Sequence, residues 1–293
     1  MWHSDRAPDS LSYPGCGGPY PSPPLTPRYG HTWPLPGERF TTAVEWTGQR
    51  VIGRLLPERH HAEATGLMRA ALYRGTRVEC PCCGGRWRGF LPYWNRPNCL
   101  CPRCWSHERH RALWLYLRER TNLFTDELSV LHVAPEHLFQ KRLRPLPNLR
   151  YLSADIEAPE AMMHFDIQEI PFDDASFDVI ICAHVLTEVP DDVRAMREMH
   201  RVLRPDGWTI VMSAVDQTRA ETREGPELNA DRRRESFLEP TNIRIYGRDF
   251  ADRLRGAGWD VRVESYVREL DERTIARYGL LHDDDIYLLR RAG

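Results

Sequence analysis

The hydrophobic pattern of residues 128–212 alternates short apolar runs with amphipathic segments. SVLHV, RYLSA and FDVIICA are apolar runs of strand length, and they predict strands buried inside a sheet. HLFQKRLR and DDVRAMREMHRVLR, which follow the first and third of these runs, carry apolar residues at helical spacing. This alternation predicts an α/β domain with a mainly parallel sheet, in which a ligand lies across the carboxyl ends of the strands.

Two predicted strand ends carry carboxylates suited to binding a nucleoside. Asp155 ends the second strand, about 20 residues beyond the first turn, where it can accept hydrogen bonds from a ribose diol. Asp166 follows a short third strand, and its carboxylate or the backbone at Ile167 can contact an adenine amino group. In both cases the alternative is an aspartate that only caps a turn.

Six of the eight cysteines lie close together and follow a metal-ligand pattern. Two C-x2-C pairs are separated by 17 residues, which is the spacing of a four-thiolate zinc site, and their members are Cys80, Cys83, Cys101 and Cys104. A closed four-sulfur site leaves no position for water, so we expect the zinc to be structural. Buried free thiols are the alternative. Cys82 and Cys99 could form C-x-C pairs, but we expect them to be bystanders.

The cysteine module continues into a helix. Ser106 is the expected N-cap of HERHRALWLYLRERTNLF, whose apolar residues fall on one face. The first turn is either solvated, or His110 or Arg109 reaches a substrate pocket between the module and the main domain. Aromatic and arginine side chains within the module either form its small core or offer a nucleic-acid face; these are Trp87, Phe90, Tyr93 and Trp94 with Arg86, Arg88 and Arg96.

Composition divides the rest of the chain. Residues 1–40 contain nine of the 23 prolines and no periodicity, which predicts a disordered leader. We assign residues 41–77 to a helical lead-in, 78–124 to the zinc-binding module and its following helix, and 125–293 to the main domain. The polar stretch within 216–242 is predicted to be a lid over the acceptor pocket.

The overall charge gives no reason to expect a polyanionic partner. The chain has 40 basic and 42 acidic residues, a net charge of −2, so it lacks a field that would gather nucleic acid or membrane. No apolar run approaches the ~20 residues that span a bilayer, and no charged segment followed by an apolar core stands at the start. We therefore expect a cytoplasmic protein without membrane contact.

The run FDIQEIPFDDASFDVIICAHVLTEVPDDVRAMREMHRVLRPDGWTIV resembles class I S-adenosylmethionine-dependent methyltransferases. More narrowly, the chain resembles a bacterial family that joins a zinc-binding N-terminal module to such a domain. Four segments together carry this resemblance: CPCC, LCPRCWSHERHRALWLYL, LHVAPE and NIRIYGRDF. The resemblance covers roughly residues 78–290. It implies a Rossmann-like sheet of seven strands, the last of them antiparallel around Ile286 to Arg290. It also implies a methyl donor with its ribose on Asp155 and its adenine near Asp166 and Ile167.

The first turn departs from the superfamily pattern. His132-Val-Ala134-Pro135-Glu136 stands where the superfamily carries an acidic residue followed by glycines. Glycine lets the backbone approach a ligand closely, whereas alanine and proline restrict that approach. If the donor binds, Ala134 and Glu136 should flank its methionine end, with Glu136 or His132 meeting the charged groups.

Methyl transfer needs an in-line approach, to which positioning and exclusion of water can contribute most of the catalysis. The fourth strand, Phe177 to Ala183, delivers His184 and Glu188 to the carboxyl edge, and either is a candidate base. His184 also faces the expected donor; a core or helix-capping histidine is the alternative. Thr187 and Glu188 replace the Glu-His pair of similar enzymes. Tyr246 belongs to the segment that in the superfamily covers the acceptor pocket.

The sequence thus predicts a methyltransferase that uses S-adenosylmethionine, carries a structural zinc and modifies a small molecule. One alternative is an RNA methyltransferase whose zinc module holds the nucleic acid, although the neutral charge balance argues against it. Another is a non-catalytic binding or scaffold protein on the same fold, which the missing glycines suggest. The identity of the acceptor does not follow from the sequence.

Overall fold

The computed structural model of this protein describes residues 52, 60–93, 96–225 and 242–292. The chain divides into two units, 1–30 and 31–293, and every described residue belongs to the second. The predicted leader therefore lies outside the described residues, as do residues 41–51 and 53–59 of the helical lead-in and residues 226–241 of the predicted lid.

The N-terminal part of the described chain is a helix followed by two small hairpins. Each hairpin is antiparallel, and the two C-x2-C turns lie between the strands of the first and directly after the second. A longer helix then leads to the main sheet. These elements are α1 (His61–Leu72), β1 (Arg74–Glu79), β2 (Arg86–Trp87), β3 (Leu91–Tyr93), β4 (Arg96–Leu100) and α2 (Glu108–Arg120).

The remaining elements build the α/β domain. In chain order they are β5 (Leu128–Val133), α3 (His137–Leu143), β6 (Leu149–Asp155), β7 (Met163–His164), β8 (Phe177–Ala183), α4 (Asp192–Val202), β9 (Leu203–Met212), β10 (Arg223–Glu224), β11 (Arg244–Ile245), α5 (Phe250–Gly256), β12 (Trp259–Glu264), a 3-10 turn (Tyr266–Glu269), α6 (Glu272–Tyr278) and β13 (Ile286–Arg291). The bounds of β8 are those predicted from its apolar run. The segment Pro205-Asp-Gly lies within β9.

Seven strands form one sheet in the order β12-β13-β9-β8-β5-β6-β7. The pairs β5 with β6, β5 with β8, β6 with β7 and β8 with β9 are parallel. Strand β13 runs antiparallel to both β9 and β12. This arrangement confirms the predicted seven-stranded methyltransferase fold with an antiparallel last strand. The chain order reverses between β5 and β8, which is the switch point where open α/β sheets bind ligands.

Helix α2 is buried more completely than its sequence pattern predicts. The spacing of apolar residues predicts that one face of the helix is buried. In the structure every residue from His110 to Leu117 is buried, so the buried surface extends around the helix. The reason is that α2 packs into the core shared by the sheet, the cysteine hairpins and the region around Tyr266 and Leu280. The helix therefore joins the module to the α/β domain as part of one core.

Arg111 of α2 ties the module to the C-terminal part of the chain. Its side chain is fully buried and donates to the backbone oxygens of Cys99, Ser106, Tyr278 and Gly279 at 2.6 to 2.8 Å. Gly279 adopts a left-handed conformation at φ 57°, and an added Cβ would meet the Phe90 ring at 2.8 Å. The glycine thus allows the end of α6 to approach the module closely.

Candidate functional site

Four cysteine sulfurs converge between the two hairpins. The Sγ atoms of Cys80 and Cys104 are 3.6 Å apart, as are those of Cys83 and Cys101, and all four lie within 4.8 Å of one another. Sulfurs bound to zinc at about 2.3 Å stand ~3.8 Å apart in a tetrahedron, whereas a disulfide requires about 2.05 Å. Burial opposes ionisation of the Cys80 thiol, yet hydrogen bonds from Cys101 and Cys104 hold its pKa well below the ordinary value. The cluster can hold a metal ion.

Cys82 and Cys99 lie outside this cluster. Cys82 Sγ approaches the backbone oxygen of His110 at 3.6 Å, and Cys99 Sγ donates to Glu108 Oε2 at 2.9 Å. Burial and the Glu108 carboxylate raise the pKa of Cys99 to about 12, so this cysteine remains a thiol. Arg96 already pairs with the same carboxylate at 3.1 Å.

Ser106 connects the four sulfurs to helix α2. Its Oγ lies 3.2 Å from Cys80 Sγ and 3.4 Å from Cys104 Sγ, and its backbone oxygen accepts a bond from Cys101 N at 3.0 Å. Ser106 is not the N-cap that the sequence predicts, because His107 occupies that position. Its hydroxyl faces the sulfur cluster instead of the first turn of the helix.

The turn after β5 keeps a backbone shape that normally favours glycine. Ala134 has φ 45°, in the left-handed region, and its N–H donates to Ala154 O at 2.7 Å. A side chain in this region costs roughly 1–2 kcal/mol. The glycine-free turn therefore reaches a left-handed conformation at an energetic cost. It leads directly to Glu136, the N-cap of α3.

Two histidines face Glu136 from opposite sides. His110 Nε2 of α2 lies 3.5 Å from Glu136 Oε1, and His132 Nε2 of β5 lies 3.4 Å from Glu136 Oε2. His110 is 6% exposed and His132 is fully buried. Among the described residues, His110 Nε2, His132 Nε2 and Glu136 Oε2 are buried atoms without a hydrogen-bond partner. Buried polar atoms are nearly always bonded, so this group has capacity to meet a ligand.

The other ring nitrogens fix the orientation of these histidines. His110 Nδ1 accepts a bond from His107 N at 3.1 Å, and His132 Nδ1 lies 2.9 Å from the Tyr151 hydroxyl. Burial and the charge of Arg109 hold the pKa of His110 well below its usual value, so the ring is neutral. Its single proton therefore lies on Nε2 and points toward the carboxylate of Glu136.

The two aspartates at the ends of β6 and β7 cap turns. Asp155 Oδ1 accepts bonds from the N–H groups of Glu157 and Ala158, both at 2.8 Å. Asp166 Oδ1 accepts from Gln168 N and Oδ2 from Gln168 Nε2, again at 2.8 Å. Both of these Asp155 bonds go to Oδ1 and not to Oδ2. The Ile167 side chain is buried, which leaves only its backbone as a contact for a ligand.

The end of β8 brings His184 to the same edge. His184 is partly exposed with φ 58°, and its N–H donates to Met212 O at 2.8 Å. Burial, followed by the charges of Arg109 and Arg96, holds the pKa of His184 well below its usual value. The imidazole is therefore neutral and can accept a proton. Glu188 follows in the same loop and is also partly exposed.

The charge of Arg109 acts on both His184 and Asp284. Arg109 Nε is buried without a hydrogen-bond partner among the described residues, and the same holds for Asp284 Oδ2. Burial and the nearby Glu108 raise the pKa of Asp284 to about 7. Asp284 therefore titrates near neutrality. The sequence does not reveal it, because it comes from the loop before β13, far along the chain.

Tyr246, which the sequence predicts to be catalytic, lies in a buried hydrogen-bond network. It is fully buried, and its hydroxyl donates to Asp192 Oδ2 at 2.7 Å and to Leu186 O at 3.2 Å. Burial and the Asp192 carboxylate raise its pKa. Arg244 donates to the backbone oxygens of Leu186, Val189 and Pro190. Arg244 and Tyr246 therefore hold in place the loop that carries His184 and Glu188.

The arginines that could have formed a nucleic-acid face have partners within the protein. Arg86 lies 3.4 Å from Glu79, Arg88 stacks on the Tyr73 ring at 4.6 Å, and Arg96 pairs with Glu108. The aromatic residues Trp87 and Phe90 are buried in the module core. Trp94 lies outside the described residues. These contacts favour the interpretation of this stretch as a small folded module.

Comparison with known proteins gives the family of the α/β domain. Residues 137–211 match the family described as "Methyltransferase domain". This segment of the chain is therefore similar to a methyltransferase domain. The match begins just after Glu136 and covers β6, β7, β8 and nearly all of β9, so it includes Asp155, Asp166, His184 and Glu188.

Two relatives of this chain are named demethylmenaquinone methyltransferase. The chain is 30% identical over 121 residues to a demethylmenaquinone methyltransferase of Geobacillus stearothermophilus, covering 36% of this chain and 52% of the relative. A protein of the same name from Staphylococcus epidermidis is 40% identical over 57 residues, 20% of this chain and 24% of the relative. The chain thus spans about a quarter to a half of the length of these relatives.

A solved structure titled as an S-adenosylmethionine-dependent methyltransferase from Mesorhizobium loti also resembles the chain. The TM-score is 0.45 at 17% identity, and the alignment covers 61% of this chain and 98% of that structure. Because this likeness is distant, the fold assignment rests on strand order and direction. Among the described residues, none of the helices is both long and apolar enough to cross a membrane.

Proposed function

We propose that this protein is an S-adenosylmethionine-dependent methyltransferase that acts on a small-molecule acceptor. The observation that carries the proposal is the group of buried, unbonded polar atoms around Glu136. They lie beside the switch point of a methyltransferase sheet, where a ligand of this fold is expected. The cytoplasmic location predicted from the sequence remains part of the proposal.

The residues present fit the methyl donor. Glu136 offers a carboxylate for the donor's ammonium group, and Asp155 Oδ2 offers an acceptor for the ribose hydroxyls. Asp166 and the backbone at Ile167 stand where the adenine is expected. Ala134 supplies the left-handed turn that leads from β5 to Glu136. When bound, S-adenosylmethionine supplies an electrophilic methyl group on its sulfonium.

The chain's own groups position the reactants and hold the proton. His184 is neutral and partly exposed at the end of β8, so its unprotonated nitrogen can accept a hydrogen bond from a hydroxyl or phenol of the acceptor, and its lowered pKa makes it a weak base. Glu188 in the next turn is the second candidate base. Arg244 and Tyr246 hold this loop through buried hydrogen bonds and therefore act on the geometry of His184 only indirectly.

We further propose that the four sulfurs bind one structural zinc ion. All four positions of a tetrahedral ion are taken by Cys80, Cys83, Cys101 and Cys104, so no position remains for a reacting water. Metal analysis should find about one zinc per chain, and none after Cys80 and Cys101 are both changed to serine. Zinc retained by that double variant would contradict the assignment.

Calorimetric titration of S-adenosylhomocysteine into the full-length protein tests the donor site. We expect one molecule to bind per chain. Asp155→Asn should weaken binding about tenfold, because an amide is a poorer acceptor than a carboxylate for the ribose hydroxyls. Asp173→Asn, at an exposed aspartate, is the matched control and should leave the affinity unchanged. Absence of binding to the wild-type protein would contradict the proposal.

A salt series distinguishes the RNA-methyltransferase alternative. A protein that neutralises several phosphates loses RNA affinity steeply as salt concentration rises. We expect only weak RNA binding at low salt, given the net charge of −2 and the paired arginines of the module. Tight binding with a steep salt dependence would favour RNA as the methyl acceptor.

A further inference from the structure

We infer that His110 is a positioning residue for the methyl donor, and that through it the cysteine module controls the affinity of the donor site. The inference rests on the proposed function. It starts from a contact between distant parts of the chain: His110 belongs to the helix that leaves the module, and Glu136 belongs to the first turn of the sheet. Their side chains approach to 3.5 Å, with the His110 side chain 8% exposed and the Glu136 side chain 21% exposed.

In this contact His110 Nε2 carries the proton and Glu136 is the acceptor. Because Nδ1 accepts the His107 N–H, the neutral ring can only donate through Nε2, and that atom faces Glu136 Oε1. His132 Nε2 lies 3.4 Å from the other carboxylate oxygen, Oε2. Two imidazoles therefore approach different oxygens of one carboxylate, and Oε2 still has no hydrogen-bond partner among the described residues, so it can meet a cationic group of the donor.

The four sulfurs determine where His110 stands. Ser106 contacts two sulfurs through its hydroxyl and accepts the Cys101 N–H through its backbone oxygen. His107 follows directly and bonds to His110 Nδ1. A metal that holds the sulfurs together thus holds the start of α2, whereas loss of the metal would release residues 106–110 and with them the support of Glu136.

This arrangement predicts thermodynamic coupling between metal and donor. Couplings between two sites in a protein are usually 5- to 150-fold in affinity. We expect removal of the metal to weaken S-adenosylhomocysteine binding by about tenfold or more. The module would then do more than stabilise the fold, because its metal occupancy would set the fraction of protein able to bind the donor.

Calorimetric titration of S-adenosylhomocysteine into the full-length chain tests the inference with three variants. His110→Ala should weaken binding about tenfold. His110→Gln should restore most of it, because the glutamine amide can place an N–H donor near the position of Nε2. His137→Ala is the matched control, since His137 adjoins Glu136 in sequence but is exposed. Thermal melting and zinc content, measured on the same samples, identify a variant that is merely unfolded.

The coupling is tested by repeating the titration after chelation. Chelation should weaken binding to the wild type but cause little further loss in His110→Ala, since both changes remove the same support. If the wild type binds and His110→Ala binds equally well, the inference is wrong and the proposed function stands. If chelation weakens binding to His110→Ala as much as it weakens binding to the wild type, the two effects are independent and the inference is also wrong. If the wild type does not bind, the proposed function itself fails.

Discussion

Two buried polar networks lie along the carboxyl edge of the sheet, and they differ in how completely they are bonded. Around Asp192, both carboxylate oxygens accept bonds from Arg253 and one also accepts from Tyr246. Around Glu136, three buried atoms remain unbonded. A saturated network stabilises a fold, whereas an unsaturated one retains capacity for a ligand. We therefore assign the first a structural role and the second the methyl donor.

The largest expected effect concerns the saturated network. Asp192→Asn removes a buried charge that faces Arg253 and Arg244, and removal of one partner of a buried ion pair usually costs about 3–5 kcal/mol. Urea denaturation should show a loss of this size in the free energy of unfolding. Asp206→Asn, at an exposed aspartate, is the control and should change stability by less than about 0.5 kcal/mol.

The same network should make stability sensitive to acid. Burial acts to raise the pKa of Asp192, but the bonds from Arg253 and Tyr246 hold it below the ordinary value. A lowered folded-state pKa gives stability that is present above the unfolded value of about 3.9 and is lost as the pH falls through the folded value. The difference in stability between wild type and Asp192→Asn should therefore shrink below about pH 4. A constant difference down to pH 2 would contradict this assignment.

The second effect concerns the unsaturated network. Glu136→Gln should weaken S-adenosylhomocysteine binding by about 10- to 100-fold, because charged hydrogen bonds contribute about 1.5–3 kcal/mol. The free energy of unfolding should stay the same or rise, since a partly buried and poorly bonded charge is removed. Glu127→Gln, at an exposed position, is the control. A large loss of stability without loss of binding would reverse the comparison of the two networks.

The smallest effect concerns the turn that leads to Glu136. Ala134→Gly relieves the left-handed strain of roughly 1–2 kcal/mol, while the added freedom of glycine in the unfolded chain offsets about 0.4–1 kcal/mol. Stability should rise by about 0.5–1 kcal/mol in urea denaturation. Ala183→Gly, within β8, is the matched control and should lower stability. A loss of stability in Ala134→Gly would show that the alanine methyl group has a packing role.

Local patterns allowed much of this molecule to be predicted. The apolar run of β8 and the C-x2-C spacing depend on residues close in sequence, and the structure places Phe177–Ala183 and the four sulfurs accordingly. The antiparallel β13 followed from the family resemblance. Each of these features is set by periodicity, by short spacing or by resemblance to a known family.

The bonding of individual side chains could not be predicted in the same way. His110 and Glu136 meet across 26 positions, and Tyr246 and Asp192 across 54, so their contacts depend on the finished packing. Tyr246 was expected to be catalytic from its segment alone, and that segment gave no sign of its burial or of its bond to Asp192. The density of histidine and arginine in HERHR was a visible signal for His110. No comparable signal marked Asp284.

A crystal structure of the protein with S-adenosylhomocysteine tests the central claim most directly. The quantity to measure is the distance from the ligand's ammonium nitrogen to the nearest carboxylate oxygen of Glu136. We predict a hydrogen bond of about 2.7–3.2 Å, with the ribose hydroxyls on Asp155. A ligand bound away from this edge, or one whose ammonium nitrogen does not contact Glu136, would contradict the account.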